Sequence, residues 1–168
     1  KALYEDHFGT LWFSEPFDLA KLDKSGFKKY RMDPRYKSEN YVKSYSFIED
    51  KKNELIFASL SGYLLHYDRI NDRIKPVSFR EEGSFTIEAL EHIDGRILLA
   101  TTDGVFLVSF SPDYSSAELS RISDIKNVTA VQDYRNLLLI GTREDGAFYF
   151  NPADKTISKI KDIPYTLI

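Results

Sequence analysis

Short apolar runs alternate with turn residues along the whole chain, and the runs recur at a nearly constant spacing. Four of them align without gaps, each with Gly or Asn two residues before an apolar anchor, and the anchors are Leu11, Leu55, Ile97 and Leu138. Successive anchors are 44, 42 and 41 residues apart. A period of this length is typical of stacked supersecondary units.

Turn signals divide each repeat into four short runs rich in aromatic and β-branched residues. The helical period of about 3.6 residues is absent from these runs. Gly and Asn accept positive φ at the first turn of each repeat, and Gly62, Gly104 and Gly146 mark the second turn. The pattern predicts an all-β protein of four-stranded antiparallel units.

An acidic residue recurs five positions before the anchor, as Asp6, Asp50 and Asp133, and His92 takes this place in the third repeat. Because Asp can accept hydrogen bonds from amides two residues ahead, we assign these carboxylates to hairpin turns. A glycosidase would instead need two unique carboxylates about 5–10 Å apart. We therefore predict no catalytic residue in this chain.

Four strands in about 40–45 residues are typical of a β-propeller blade. A β-sandwich is the competing fold, but it does not explain the aligned fourfold recurrence. We predict one propeller segment with blades at 1–40, 41–82, 83–124 and 125–162, and residues 163–168 beginning a fifth blade. We favour an open arc of a larger ring of about seven blades over a closed four-bladed ring.

An open arc leaves the packing faces of its terminal blades uncovered. Contiguous apolar patches of this kind promote association, so we expect the chain to self-associate through them. Trp12 takes the position held by Ile56, Leu98 and Leu139 in the other repeats. We therefore expect Trp12 to pack between blades rather than to contact a ligand.

Composition narrows the classes of partner. The chain has 23 Lys and Arg against 26 Asp and Glu, a net charge of −3, and no basic block, which disfavours nucleic acid. It has no cysteine, and His7, His66 and His92 lack the close spacing of a zinc motif, so we predict no metal and no cofactor.

No apolar run reaches the roughly 20 residues that span a bilayer, so we expect no membrane contact within the chain. Because the chain begins at Lys1, we expect it to be a piece of a longer protein.

Binding residues are commonly carried by loops on a rigid scaffold. In a propeller with this strand order, the loops between second and third strands share one end with the connections between blades. Tyrosines with interspersed charges on that end suit carbohydrate or protein contact. The candidate ligand-binding residues are Glu15, Phe17, Tyr36, Tyr41, Arg80, Arg143, Glu144 and Tyr165.

The first repeat carries a resemblance to a known family. It reads Glu5-Asp6-His7-Phe8-Gly9-Thr10-Leu11-Trp12-Phe13-Ser14. This stretch resembles the two-component regulator propeller repeat. The fourth repeat keeps Leu139-Ile140-Gly141-Thr142 and Gly146, and the second keeps Glu49-Asp50, Gly62 and Tyr67-Asp68. Such repeats occur in the periplasmic sensor regions of hybrid two-component histidine kinases, especially in gut Bacteroidetes, where they are associated with glycan sensing.

The resemblance implies a periplasmic domain that senses a ligand or transmits a signal, without enzymatic activity of its own. An oligosaccharide is the candidate ligand, and the full-length sensor is expected to be a homodimer. Two alternatives stay open. One is an interaction or dimerisation scaffold with no small-molecule ligand, and the other is a glycan-cleaving propeller enzyme.

Overall fold

The protein is all-β, as predicted. The structure is a computed structural model that describes residues 3–14, 18–36, 45–79, 85–93 and 95–160. Blade 1 contains β1 (Leu3–Glu5), β2 (Leu11–Ser14), β3 (Asp18–Asp23) and β4 (Gly26–Arg31), followed by a short 3-10 helix (Pro34–Tyr36). Blade 2 contains β5 (Tyr45–Glu49), β6 (Leu55–Ser59), β7 (Tyr63–Asp68) and β8 (Arg73–Val77).

Blades 3 and 4 follow the same order. Blade 3 contains β9 (Ile87–Ile93), β10 (Arg96–Thr101), β11 (Gly104–Phe110) and β12 (Ala117–Ser123), and blade 4 contains β13 (Val128–Tyr134), β14 (Leu137–Thr142), β15 (Ala147–Asn151) and β16 (Thr156–Lys159). Each blade is one antiparallel sheet whose strands lie in chain order. The four four-stranded blades are confirmed, whereas the repeat boundaries stay a prediction, and residues 163–168 lie outside the described residues.

The first strand of each blade lies innermost in the arc. Strand β9 contacts both β5 and β13, and Tyr4 of β1 stacks on Phe47 of β5 with ring centroids 5.9 Å apart. The fourth strands therefore form the outer edges. Lys28, Lys75 and Lys159 lie on these strands, and Pro76 removes one backbone N–H donor from β8. Such residues protect exposed strand edges from pairing with other chains.

The second strand of each interior blade is buried on both faces. On β6, Leu55 and Phe57 pack toward blade 1, whereas Ile56 and Ala58 pack toward blade 3. All four are at most 1% exposed. Alternate side chains of a strand point to opposite faces, so a strand between two blades needs apolar residues at every position. This explains the continuous apolar runs of the repeats.

Three hydrophobic clusters lie between successive blades, and we call them the first, second and third seams. The first seam joins blades 1 and 2 through Trp12, Leu19, Tyr30, Met32, Tyr45, Leu55, Phe57, Leu65 and Tyr67. The second seam joins blades 2 and 3, and the third joins blades 3 and 4. Trp12 is fully buried in the first seam, which confirms the prediction that it packs between blades.

The first hairpins of blades 1, 2 and 4 take two forms. In blades 1 and 2, Asp6 and Asp50 each accept two backbone N–H bonds across a wide turn, from Phe8 and Thr10 and from Lys52 and Glu54. In blade 4, Asp133 lies inside strand β13 opposite Leu138, and Arg135 and Asn136 close a tight turn with positive φ. The turn assignment is therefore correct for Asp6 and Asp50 and wrong for Asp133.

Positive φ occurs where the repeat pattern predicted it. Gly9, Asn53, Gly95 and Asn136 have φ of 76°, 60°, 66° and 65°. Only Gly and, less readily, Asn adopt this conformation at little cost. Within the described ranges, no helix has the length and apolar character required to cross a membrane.

Candidate functional site

The turns lie alternately at two ends of the arc. We call one the hairpin end, where the first strand of a blade turns into the second and the third into the fourth, and the other the connection end, where the second turns into the third and one blade leads to the next. Arg143 and Glu144 lie in the turn between β14 and β15, at the connection end, with exposed side chains. Their role in ligand binding stays a prediction.

Six other residues were predicted as candidates from the sequence. Five of them lie outside the described residues, namely Glu15, Phe17, Tyr41, Arg80 and Tyr165. The backbone of Tyr36 ends the 3-10 helix after blade 1, and its side chain is not described.

Backbone hydrogen bonds tie the connection end of blades 3 and 4 together. The Thr102 N–H donates to the Thr86 carbonyl at 3.2 Å, the Asn127 N–H to the Thr102 carbonyl at 3.0 Å, and the Arg143 N–H to the Asn127 carbonyl at 3.0 Å. This series runs from one blade to the next. The backbone beneath Arg143 is therefore held in place while its side chain projects outward.

Arg143 faces an inner strand of the neighbouring blade. Its Nη2 lies 3.9 Å from Oε1 of Glu88, which is on β9 of blade 3. The Thr86 hydroxyl also donates to Oε1 of Glu88, at 3.0 Å. A carboxylate held by a hydroxyl and facing a solvent-exposed guanidinium can exchange this weak ion pair for a polar ligand.

A second charged group lies at the same end, beside the hydrogen-bonded residues Thr102 and Asn127. Asp103 accepts hydrogen bonds from Arg121 Nη2 at 2.5 Å and from the Lys126 ammonium. The bonds from Lys126 and then Arg121 lower the pKa of Asp103 below its ordinary value. Sequence analysis missed Asp103, although it directly precedes the turn glycine Gly104, as Asp145 precedes Gly146. That position is the signal that identifies it.

The connection end of blades 3 and 4 thus presents cations and carboxylates side by side. Such an arrangement can bind a polar, hydroxyl-rich or charged ligand through charge-assisted hydrogen bonds. Among the residues that the structure describes, no group of three or more His, Asp or Glu side chains is placed to hold a metal ion.

The hairpin end of the first seam uses its carboxylates for packing. Besides its two backbone donors, Asp6 accepts a bond from Trp12 Nε1 at 3.0 Å and one from Arg69 Nη1 of blade 2 at 3.0 Å. Burial by itself would raise the pKa of Asp6, but the bonds from Trp12, Thr10 and Arg69 outweigh it and lower the pKa. Asp6 therefore joins a turn, a core indole and the next blade.

The Arg69 guanidinium joins several groups of the first seam. It also reaches Glu49 at 3.3 Å and lies over the Phe8 ring at 4.2 Å. Glu49 in turn accepts a bond from the Tyr4 hydroxyl at 3.3 Å. Burial, followed by the charge of Glu49, raises the pKa of Tyr4 to about 12.

A second, partly exposed polar network of the first seam is centred on Asp72. This carboxylate accepts bonds from Lys21 at 2.9 Å, Lys28 at 2.6 Å, Tyr30 at 2.5 Å and Tyr67 at 2.6 Å. Burial opposes ionisation, but these four donors lower the pKa of Asp72 well below its ordinary value. Lys21, which is 8% exposed, is therefore a buried cation with partners rather than a free one.

The second seam has a smaller polar cluster at its hairpin end. The ring of His66 stacks on Tyr114 of blade 3 at 4.5 Å, and its Nε2 lies 2.7 Å from Oε2 of Glu54. The Tyr114 hydroxyl donates to the turn carboxylate of Asp50. Asp50 thus resembles Asp6 in binding both its own turn and the next blade.

No protein-family model and no curated protein sequence matches this chain. Solved structures do match. Virginiamycin B lyase from Staphylococcus aureus has a TM-score of 0.68 at 12% identity, covering 96% of this chain and 55% of the lyase.

Two extracellular domains from B. thetaiotaomicron are also similar, and both belong to proteins described as hybrid two-component systems. The BT3049 domain has a TM-score of 0.68 at 13% identity over 98% of this chain, and the BT4673 domain has 0.67 at 18% over 95%. This chain spans 22% and 24% of those domains and just over half of the lyase. At these identities the likeness is one of fold, and it is the fold expected from the resemblance of the repeats.

Proposed function

We propose that this chain is a segment of the extracytoplasmic β-propeller of a two-component sensor, where it recognises a ligand or transmits a signal. One observation carries the proposal: the fold is shared, over 95–98% of the chain, with extracellular domains of proteins described as hybrid two-component systems. The resemblance of the first repeat to the two-component regulator propeller repeat supports it independently. The proposed location is the periplasm.

The proposed ligand surface is the connection end. Arg143 and Glu144 project from a backbone fixed by hydrogen bonds to the blade connections, whereas the carboxylates of the hairpin end are engaged in turns and seams. Oligosaccharides are the proposed ligands because they present the hydroxyl groups that paired charges and tyrosines bind well. A ligand would act by binding one arrangement of paired propellers more tightly than another.

Isothermal titration with a panel of neutral and acidic oligosaccharides tests this proposal. We expect one class to bind, and we expect Arg143→Ala and Glu144→Ala to weaken that binding without changing the stability of the fold. Ile70→Ala is the matched control, because Ile70 is 95% exposed and lies in a turn at the hairpin end. Absence of binding by every oligosaccharide would contradict the proposed ligand class.

An interaction scaffold without a small-molecule ligand is the second candidate function. The observation in its favour is the apolar surface on the outer faces of blades 1 and 4, where Leu22 and Tyr134 are 41% and 45% exposed. A scaffold predicts that titrations stay silent while mutations on those faces alter association.

An enzyme is a weaker candidate, although the fold also occurs in a lyase. We propose that this chain is not an enzyme, because Asp6 and Asp50 are held by turn amides and by donors of the next blade rather than presented to a substrate. An assay for newly formed reducing ends on the same oligosaccharide panel tests this. Cleavage that is lost when a single carboxylate is replaced would overturn it.

A further inference from the structure

An Asp-Gly pair lies in the turn between the second and third strands of both blade 3 and blade 4. The pair of blade 3 is Asp103-Gly104, and the pair of blade 4 is Asp145-Gly146. In both turns the Asp N–H donates to the hydroxyl of the threonine that ends the second strand. The two pairs thus share a local sequence and a turn hydrogen bond. Asp94 of a third such pair lies outside the described residues.

An Asp-Gly bond can rearrange without an enzyme. The Gly amide nitrogen attacks the side-chain carboxyl carbon, the amide proton and the carboxyl hydroxyl leave as water, and a five-membered succinimide forms. Water then opens this ring. Opening at the side-chain carbonyl restores aspartate, whereas opening at the main-chain carbonyl gives isoaspartate, in which the chain continues through the former side chain. Glycine permits the attack because it has no Cβ to block the approach, and the net change leaves the mass unaltered.

The pair of blade 3 is held on all sides. The Asp103 carboxylate accepts bonds from Arg121 and Lys126, and the Asp103 carbonyl accepts another from Arg121 at 2.5 Å. The same cations lower the pKa of Asp103, and an ionised carboxylate reacts with an amide less readily than a neutral acid does. A Cβ on Gly104 would lie 2.5 Å from the Ser123 carbonyl oxygen, so the backbone of this turn has no room to move.

The pair of blade 4 is open. Asp145 is exposed, and no residue in the described ranges binds its carboxylate. Gly146 precedes strand β15, whereas Gly104 is already part of strand β11. The nearest atom to a Cβ on Gly146 would be Cε of Lys159 at 3.8 Å, near the end of a flexible side chain. The Asp145 carboxyl and the Gly146 amide can therefore approach each other without displacing a neighbour.

We propose that Asp145 is a site of spontaneous isomerisation to isoaspartate in the folded protein, whereas Asp103 in the equivalent turn is protected by the cations that bind it. The reaction needs only the chain itself and water. The inference rests on the contrast between the two turns and not on the proposed sensor function.

The modification would change the shape of the turn that carries Arg143 and Glu144. The Thr142 N–H and the Thr142 hydroxyl both donate to the Gly146 carbonyl at 2.9 Å, which closes this turn. Isoaspartate adds one methylene to the backbone between these hydrogen-bonded groups. The added length displaces the Gly146 carbonyl from its donors, so the exposed charges of the turn take new positions.

Prolonged incubation of the folded chain at neutral pH and physiological temperature, followed by digestion and mass spectrometry, tests the proposal. Electron-transfer fragmentation identifies isoaspartate in each peptide, and uptake of oxygen from isotopically labelled water identifies passage through a succinimide. We expect isoaspartate to form at Asp145 at least about tenfold faster than at Asp103, because the Asp103 carboxylate must first leave its charge-assisted hydrogen bonds.

The chain unfolded in urea is the control for local sequence. Unfolding releases Asp103 from its cations, so both pairs should form isoaspartate at similar rates. Asp145→Glu is the control for the chemistry, because the longer side chain would have to close a less favourable six-membered ring. This variant should lose isomerisation at its own turn and leave the rate at Asp103 unchanged.

Protection of Asp103 is tested by replacing both cations, with Arg121→Met and Lys126→Met in one chain. Methionine keeps much of each aliphatic stem, and circular dichroism checks that the variant folds. We expect isoaspartate formation at Asp103 to rise about tenfold and the rate at Asp145 to stay unchanged. A folded double variant with an unchanged rate at Asp103 would contradict protection by the cations. The proposal is overturned if the folded original chain modifies Asp145 no faster than Asp103, or modifies Asp145 only after unfolding.

Discussion

The first and third seams use the same repeat positions with different chemistry. In the first seam Trp12 lies within 5.8 Å of the Tyr30 ring and 4.6 Å of the Tyr67 ring, and Lys21 beside it binds Asp72. The buried part of the third seam is built from the aliphatic side chains of Ile93, Leu98, Val105, Val128, Leu138 and Ile140, with Ala100, Val131 and the ring of Phe150, and the partly buried Phe148 packs against it. Leu107 stands there opposite Leu98, where Lys21 stands opposite Trp12.

This difference separates two requirements that the repeat imposes. The stacking of blades decides which positions are buried, and both seams obey it. It does not require that buried positions be apolar, provided that each polar group finds a partner. Because a buried ion network contributes little compared with apolar packing, yet is costly to break, the two seams should respond differently to substitution.

The largest expected effect is that of Trp12→Ala. Removing this fully buried indole should cost about 3–5 kcal/mol of unfolding free energy, and it also removes a donor to Asp6. Leu98→Ala, at the same position of the third seam, should cost about 2–5 kcal/mol. Urea denaturation measures both, with Ile70→Ala as the exposed control. A cost below about 1 kcal/mol for Trp12→Ala would mean that the first seam is held mainly by its polar network.

The polar network around Asp6 in the first seam is tested by Asp6→Asn. The amide keeps the shape of the side chain, but its NH₂ group cannot accept bonds from the donors of Trp12 and Arg69. We expect a loss of about 1–3 kcal/mol at neutral pH, measured by urea denaturation. Arg69→Met is the control for the charge, because it removes one donor to Asp6 while keeping apolar contact with Phe8. We expect it to lose less unfolding free energy than Asp6→Asn. An Asp6→Asn protein as stable as the original would contradict this account.

Acid should reduce the difference between the original chain and Asp6→Asn. The pKa of Asp6 is lowered in the folded state from an ordinary value of 3.8, so the unfolded chain takes up the proton first as the pH falls. The stabilisation is fully present above that value and is lost as the pH falls through the lower, folded pKa. Urea midpoints between pH 7 and pH 3 measure it. If the stability difference between the original chain and Asp6→Asn grew on acidification, the direction assigned to the pKa shift of Asp6 would be wrong.

Tyr114→Phe should have a smaller effect at the second seam. The substitution keeps the stacking on His66 and removes the hydroxyl that donates to Asp50. Because water can reach the partly exposed Asp50, we expect a loss of about 1 kcal/mol. Thermal unfolding measures it, and a loss as large as that of Trp12→Ala would mean that the second seam depends on this bond.

Arg143→Ala should have the smallest effect on stability. Its side chain is 64% exposed and its ion pair with Glu88 is long, at 3.9 Å, so the change should lie within about 0.5 kcal/mol. Any loss of ligand binding could then be attributed to the surface and not to the fold. A large loss of stability would show that the connection end, like the first seam, depends on its charges.

Several features could be read from the sequence because they depend on local rules. The gap-free repeat predicted the strands, the Gly and Asn turns predicted positive φ at Gly9, Asn53, Gly95 and Asn136, and the equivalence of Trp12 with three aliphatic residues predicted its burial. Arg143 and Glu144 were placed at the connection end by strand order alone. Each of these depends on the alternation of side chains and on residues close in the chain.

The tertiary structure decided what distant residues do together. Asp6 and Asp133 occupy the same sequence position, yet only Asp6 caps a wide turn. The same five-residue spacing before the anchor can form either short strands joined by a wide, capped turn or longer strands joined by a tight turn. Lys21 meets Asp72 across 51 residues and Arg69 meets Asp6 across 63. Glu88 meets Arg143 in the same way. These pairs form only when blades stack, and a repeat pattern specifies that stacking without specifying which polar groups it brings into contact.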